Sequence, residues 1–293
     1  MESKKLQILR PMKYWWVYFV ISLAVIIPGS YSLIRYGLKP AIDFTGGSTI
    51  VWNSALSEEV IRASSESTSV TIREMKESGG VWTITTNPID KNLYLTFKQK
   101  VGETGPVTEL QFDTVGPSLG AELIQKTLYA TLLSASLILL YVAYRFKSLK
   151  FGVSAILAML HDSLVLLGIF SLLGHFQGIE VDTLFVTALL TILSFSVHDT
   201  IVVYDRIREL KKKHGYLDFD EIVNRAVVET MGRSLNNSLT IIFMLLSMYL
   251  LGGETTKWFI FALLVGTVSG TYSSTFTAAP LLIVWDKLAH QKK

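Results

Sequence analysis

Six predominantly apolar stretches of about 20 residues dominate the chain, from Trp15 to Ile34, Leu128 to Tyr144, Phe151 to Gly174, Thr183 to Tyr204, Leu235 to Leu251 and Trp258 to Trp285. A run of that length, wound as an α-helix, matches the hydrocarbon thickness of a bilayer. The sequence therefore reads as an α-helical polytopic membrane protein with six transmembrane helices. Composition agrees: half of the 293 residues are hydrophobic, 17% are charged and the mean hydropathy is +0.41. The net charge of +3 is the excess of Lys and Arg that cytoplasmic loops carry, so nucleic acid is not an expected partner. With no cysteine, disulfides, thiolate metal sites and a Cys nucleophile are excluded.

Charge bias sets the topology. Lys4, Lys5, Arg10 and Lys13 precede the first span, Arg145, Lys147 and Lys150 join the second to the third, and Arg206, Arg208, Lys211, Lys212, Lys213, Arg225 and Arg233 lie between the fourth and fifth. The short connections around Glu180 and Glu254 are nearly free of such residues, which predicts cytoplasmic N- and C-termini. The first span is longer than a signal-peptide core and lacks a small-x-small cleavage pattern, so it is expected to stay uncleaved. Three parts follow: a cytoplasmic N-terminus and first helix (1–34), an extracytoplasmic domain (35–125), and a five-helix bundle (126–293) with a cytoplasmic loop at 205–234.

The polar stretch of 35–125 reads as one small α+β domain. Strands are expected at Thr49 to Trp52, Val70 to Arg73, Val81 to Thr85, Leu93 to Lys98 and Leu110 to Val115, and a helix after a Ser57 cap ahead of Glu58 and Glu59.

Charge inside the apolar runs carries the functional signal. An ionisable residue near a helix centre in a membrane costs at least about 2.5 kcal/mol, and so needs a partner, a water path or a proton. Asp199, next to His198, is such a residue in the fourth span, and His161 with Asp162 forms a second pair in the third. Thr187, Thr191, Ser194, His198 and Asp205 share one face of the fourth helix, and Arg233, Asn236, Asn237 and Thr240 share one of the fifth. Such faces are expected to turn inward, towards other helices or water. Desolvation favours a neutral Asp199 and a nearby Arg233 guanidinium favours its charged form, so a pair that forms and separates would release and take up a proton. The competing reading leaves Arg233 facing the cytoplasm or lipid phosphates. For Asp162 the choice is between a proton-relay group and an acid hydrogen-bonded to Ser or Thr. A metal site from the two His-Asp pairs is not expected, since neighbouring helical positions diverge by about 100°. In the sixth span Gly266, Gly270, Ser274 and Ala278 recur every fourth residue, which predicts a smooth packing face without chemistry, and Pro280 predicts a kink.

Several of these motifs together resemble the SecF family, the smaller membrane subunit of the SecDF accessory complex of bacterial protein secretion. They are DFTGG at Asp43 to Gly47, VGPSLGAEL at Val115 to Leu123, His161 with Asp162, Glu180 to Asp182, HDTIVVYDRIRE from His198, and Asn224, Thr230, Arg233 and Ser234, in the family's order over nearly the whole chain. The chain departs from the family at Ser194, Phe195, Ser196 and His198, where Gly-Tyr-Ser and an amide are common, and at Gly232. The resemblance implies half of an RND-type bundle in the bacterial cytoplasmic (inner) membrane. Implied partners are SecD, the SecYEG translocon, preprotein substrates, protons and the lipid bilayer, with no cofactor and no enzymatic activity. It implies proton transport by Asp199 and Arg233. It implies structural roles for Asp43, Gly46, Gly47, Gly116 and Pro117. From their own chemistry, Asp162 and His161 inside the third span are further relay candidates, and His198 either joins the relay or stays neutral and hydrogen-bonded. The alternative reading is an RND-type proton-driven exporter of small molecules or lipids.

Overall fold

The computed structural model describes residues 10–146 and 148–290, so Lys4, Lys5 and Lys147 of the charge argument lie outside the described residues. The chain divides into a compact polar unit, Pro40–Ala130, and a helical unit formed by the rest.

The helical unit opens with a 3-10 turn at Pro11–Tyr14 and helix α1, Trp15–Tyr36. In the polar unit follow β1 (Gly47–Asn53), α2 (Glu58–Ser67), β2 (Ile72–Ser78), β3 (Val81–Thr86), α3 (Lys91–Gly102) and β4 (Thr108–Val115). Then come α4 (Pro117–Phe146), α5 (Leu149–Gln177), α6 (Thr183–Lys213), α7 (Phe219–Leu251), α8 (Lys257–Ser273), a π turn at Ser274–Ala278, and α9 (Ala279–His290). Among the described residues six helical segments are long and apolar enough to cross a membrane, the last being α8, the π turn and α9 taken together. The segment 205–234, expected as a loop, is helical: α6 continues to Lys213, α7 starts at Phe219, and 214–218 joins them.

Local chemistry sets several of these boundaries. Asp182 caps α6 by accepting from the Phe185 N–H at 2.7 Å, and Gly178 ends α5 in the left-handed region at φ 65°. Pro280 lacks an N–H and its ring would clash with the preceding turn, so the expected kink takes the form of a π turn ahead of it.

Glycines permit the tightest helix crossings. A Cβ added to Gly168 of α5 would fall 2.6 Å from the Gly29 Cα of α1, and the same interface is tied by Ser32 and Ser171 hydroxyls 2.8 Å apart. Gly266 of α8 receives Ile192 of α6, and Gly270 lies against Phe195 and Ser196. The small-residue stripe thus packs within the chain, α8 on α6.

At one end of the bundle Arg145 pairs with Asp205, Lys150 with Asp286 at 3.1 Å, Lys287 with Asp220 at 2.9 Å, and the Met12 N–H donates to Asn224 at 3.3 Å. At the other end the Val181 N–H donates to the Lys39 carbonyl at 2.8 Å. The basic connections therefore share one end, the arrangement that their spacing predicts.

The polar unit is a four-stranded antiparallel sheet of order β2-β3-β1-β4 in a β-α-β-β-α-β succession, the split βαβ pattern. Ile50, Trp52 and Ile84 from the sheet and Ile61, Tyr94 and Phe97 from the helices form its core, with Trp52 Nε1 donating to the Tyr94 hydroxyl at 3.2 Å. The segment Leu93 to Lys98, expected as a strand, lies in α3. Asp90 caps that helix through the Leu93 N–H, and Tyr94, Phe97 and Val101 bury one helical face, a period the apparent alternation conceals. Residues Val70 and Thr71 precede β2, and α2 begins after Ser57 without a side-chain cap bond.

The boundaries of 35–125 move to 40–130 because α1 runs on to Tyr36, where Gly37 at φ 71° ends it, while α4 begins within the unit. The DFTGG and VGPSLGAEL segments meet here. Gly46 (φ 67°) leaves 3.0 Å between a Cβ and Pro117 Cα, and Gly47 (φ 142°) leaves 2.8 Å to the Thr86 carbonyl. A side chain is excluded at both positions by backbone on one side and conformation on the other. Gly116 has open space about it, so sterics do not require glycine there.

Candidate functional site

Among the described residues two acids are buried within the helical unit, and hydroxyls rather than Lys or Arg surround them. Asp162, at 0% exposure, projects from the middle of α5. Its Oδ1 accepts from Ser269 at 2.5 Å and lies 3.0 Å from His161 Nδ1, while Oδ2 accepts from Ser196 and Ser273, each at 2.5 Å. Both oxygens thus have two donors when His161 carries its proton on Nδ1, which is the full complement for an ionised carboxylate. His161 Nε2 lies 3.0 Å from the Ser22 hydroxyl of α1. One His-Asp pair therefore links α1, α5, α6 and α8.

Asp199 of α6 is 4% exposed, and both of its hydrogen bonds fall on Oδ2, one from Ser234 of α7 and one from Ser274 at 3.5 Å. Among the described residues no cation pairs with it. Arg233 is exposed and lines a groove of about 860 Å³ with Asp205, Arg206, Glu209 and Glu229. The helix register explains the difference, since the residue that α7 turns towards Asp199 is Ser234, and its neighbour Arg233 points about 100° away.

His198 is exposed and lines a different surface recess, with Leu137, Ile138 and Tyr141 of α4, apart from the buried acids. The polar faces are also placed otherwise than expected. Thr187, Thr191, Ser194 and His198 lie on the outer surface of this chain, as do Arg233, Asn236, Asn237 and Thr240. Thr187 and Thr191 satisfy their hydroxyls on carbonyls of their own helix at 3.0 and 2.8 Å.

The residues that sequence reading missed are the serines Ser22, Ser269 and Ser273, while Ser234 was noted only as a motif match and Ser196 only as a departure, neither as a partner of a buried acid. Ser274, expected to serve packing alone, also reaches Asp199. The available signal was the hydroxyl-rich run SGTYSSTFT from Ser269 to Thr277, whose period places Ser269 and Ser273 one turn apart on a shared face. The π turn begins at Ser274, so Ser273 and Ser274, adjacent in sequence, address different acids.

Comparisons with known proteins agree with this architecture. A family described as "Protein export membrane protein SecD/SecF, C-terminal" matches residues 96–288. The protein translocase subunit SecF of Thermobaculum terrenum is 38% identical, with 94% of this chain and 93% of that protein covered. SecF of Anaerolinea thermophila is 37% identical, with 92% of each covered. The crystal structure of SecDF from Thermus thermophilus, described as a translocon-associated membrane protein, superposes with a TM-score of 0.85 at 31% identity. That match covers 95% of this chain but 39% of the larger SecDF chain. Shared fold, relatives matched along almost their full length and a family match over most of the sequence lead to one conclusion: the chain belongs to the SecD/SecF family of protein-export membrane proteins.

Proposed function

We infer that this chain is a SecF-type subunit of the Sec protein-translocation machinery that works with SecD, and we propose that it uses proton flow to promote preprotein translocation. The observation that carries the proton step is Asp199: a buried carboxyl group in a membrane-spanning helix, bonded through one oxygen to hydroxyls, with no cation in contact among the described residues. An acid so placed needs a proton, a water path or a partner. The groove at Arg233 offers solvated charge near one end of α6 and α7.

The exposed polar faces of α6 and α7 support SecD as the missing partner. A face bearing His198, Arg233, Asn236 and Asn237 is costly against lipid, and helices of a second subunit would cover it. We assign the proton-carrying step to Asp199, with Arg233 as the group that approaches it when α7 shifts. The His161–Asp162 pair, with every acceptor position filled, holds four helices in register. On this reading the protein is not an enzyme, and it lies in the cytoplasmic membrane with both termini in the cytoplasm and the 40–130 unit outside. SecYEG and the emerging preprotein complete the assembly. Each elementary charge crossing 100 mV supplies about 2.3 kcal/mol, so several protons suffice for a domain movement.

The test is Asp199→Asn in membranes containing SecD and the translocon. The variant is expected to insert and to assemble with SecD but to lose proton-dependent stimulation of translocation. Stimulation at the wild-type level would sink the proposal.

A further inference from the structure

Resting on the reading of Asp199 as the proton-carrying acid, the geometry points to Ser274 as a positioning residue for the proton step, a hydroxyl with two acceptors that turns from one to the other as Asp199 changes state. Its Oγ lies 3.5 Å from Asp199 Oδ2 and 3.1 Å from the Thr271 carbonyl, so a single O–H faces two acceptors at unequal distance. The adjacent Ser273 has the same choice and the opposite bias, with Asp162 Oδ2 at 2.5 Å and the Gly270 carbonyl at 3.3 Å. One hydroxyl of the pair is committed to its carboxylate and the other is divided.

The chemistry of the turn follows. With Asp199 ionised, Ser274 donates to Oδ2 and stabilises the anion beside Ser234. When a proton adds to Asp199, that acid O–H donates to Ser274 Oγ, and the Ser274 hydrogen turns to the Thr271 carbonyl. Release of the proton reverses both movements, and no atom is transferred to the serine. Consecutive helical residues point about 100° apart, which sets Ser273 on Asp162 of α5 and Ser274, where the π turn begins, on Asp199 of α6. Ionisable groups on the elements packed near Asp199 include His161 and Asp162 of α5, Glu229 and Arg233 of α7, and Tyr272 of α8, with His198, Tyr204 and Asp205 on α6 itself. Of these, His161 and Asp162 engage each other, Tyr272 donates to the Tyr18 carbonyl at 2.7 Å, Glu229 pairs with Arg206 at 2.5 Å, and Arg233 is exposed.

Infrared difference spectra of the chain assembled with SecD in membranes, recorded between neutral and acid pH, test this assignment. A protonated-carboxyl band that Asp199→Asn abolishes identifies the acid. Ser274→Ala is expected to shift that band and to lower proton-dependent translocation about fivefold, the size expected for one hydrogen bond, while Ser274→Thr restores both. Ser274→Cys, nearly isosteric with a weaker donor, shifts the band in the same direction and serves if the alanine variant fails to assemble. A band that stays in place in both the Ala and Cys variants overturns the role of Ser274 while leaving Asp199 as the proton carrier. Absence of any band sensitive to Asp199→Asn overturns both.

Discussion

Asp162 and Asp199 have the same side chain at nearly the same burial, yet their surroundings differ in number and symmetry of donors. Asp162 has four donors over two oxygens, drawn from three helices including its own, all but one at 2.5 Å. Asp199 has two, both on one oxygen, one of them stretched to 3.5 Å. Asp162 has no acceptor position left open, whereas Oδ1 of Asp199 has no hydrogen bond among the described residues. The same residue type is therefore saturated with donors in one place and half satisfied in the other, and the distinction lies in serines contributed by neighbouring helices.

Stability measurements separate the two sites most sharply. Asp162→Ala strands the Ser196 and Ser269 hydroxyls and the His161 imidazole and leaves Ser273 only the Gly270 carbonyl at 3.3 Å, and is expected to cost about 3–5 kcal/mol, since each buried polar group left without a partner costs about 1–3 kcal/mol. Asp199→Ala frees two hydroxyls, one of which already has a carbonyl to turn to, and is expected to cost about 1–2 kcal/mol. Thermal unfolding in detergent, followed by near-ultraviolet circular dichroism, reads both. Equal losses would break the comparison.

The sequence revealed the frame of this arrangement more fully than its contacts. Six spans, their alternation and the acids inside them follow from apolar length and charge, because a bilayer penalises unpaired polar groups so heavily that few patterns are permitted. Contacts between helices depend on register. Arg233 attracts notice by its charge, but the residue that faces Asp199 is Ser234, and no scan for ionisable groups gives weight to a serine. The strand expected at Leu93 to Lys98 failed for a related reason: the N-L-Y-L-T-F segment alternates in polarity, while the capping Asp90 and the more distant Val101 show the helical period.

The serine pair extends the comparison at a smaller scale. Ser273→Ala removes a 2.5 Å bond to a saturated carboxylate and is expected to cost about 1.5–3 kcal/mol, the range for hydrogen bonds to charged groups. Ser274→Ala loses a long bond from a hydroxyl that has another acceptor, and is expected to cost less than about 1 kcal/mol. Differential scanning of the two variants under one set of conditions measures the gap. A Ser274→Ala variant as destabilised as Ser273→Ala would mean that the two hydroxyls are equally committed, contrary to their distances.

A carboxylate outside the membrane part completes the series. Glu109 of β4 pairs with Lys98 of α3 at 2.5 Å, and the bond from that ammonium, followed by the one from Tyr94, holds its carboxyl below the usual range. A lowered folded-state value means that this contribution is present above the unfolded value near 4.3 and is lost as pH falls through the folded one. Because the pair is about one-third exposed, water screens it, and the contribution is expected to stay below about 1 kcal/mol. Protection factors of the β4 amides in the full chain, taken relative to intrinsic exchange at each pH, should therefore fall slightly more on acidification in the wild type than in Glu109→Gln, where the pair is already absent. If the two chains respond alike, the charge of Glu109 contributes nothing to holding β4. Donors from a mobile lysine in water would then not substitute for the fixed hydroxyls that distinguish the two buried acids.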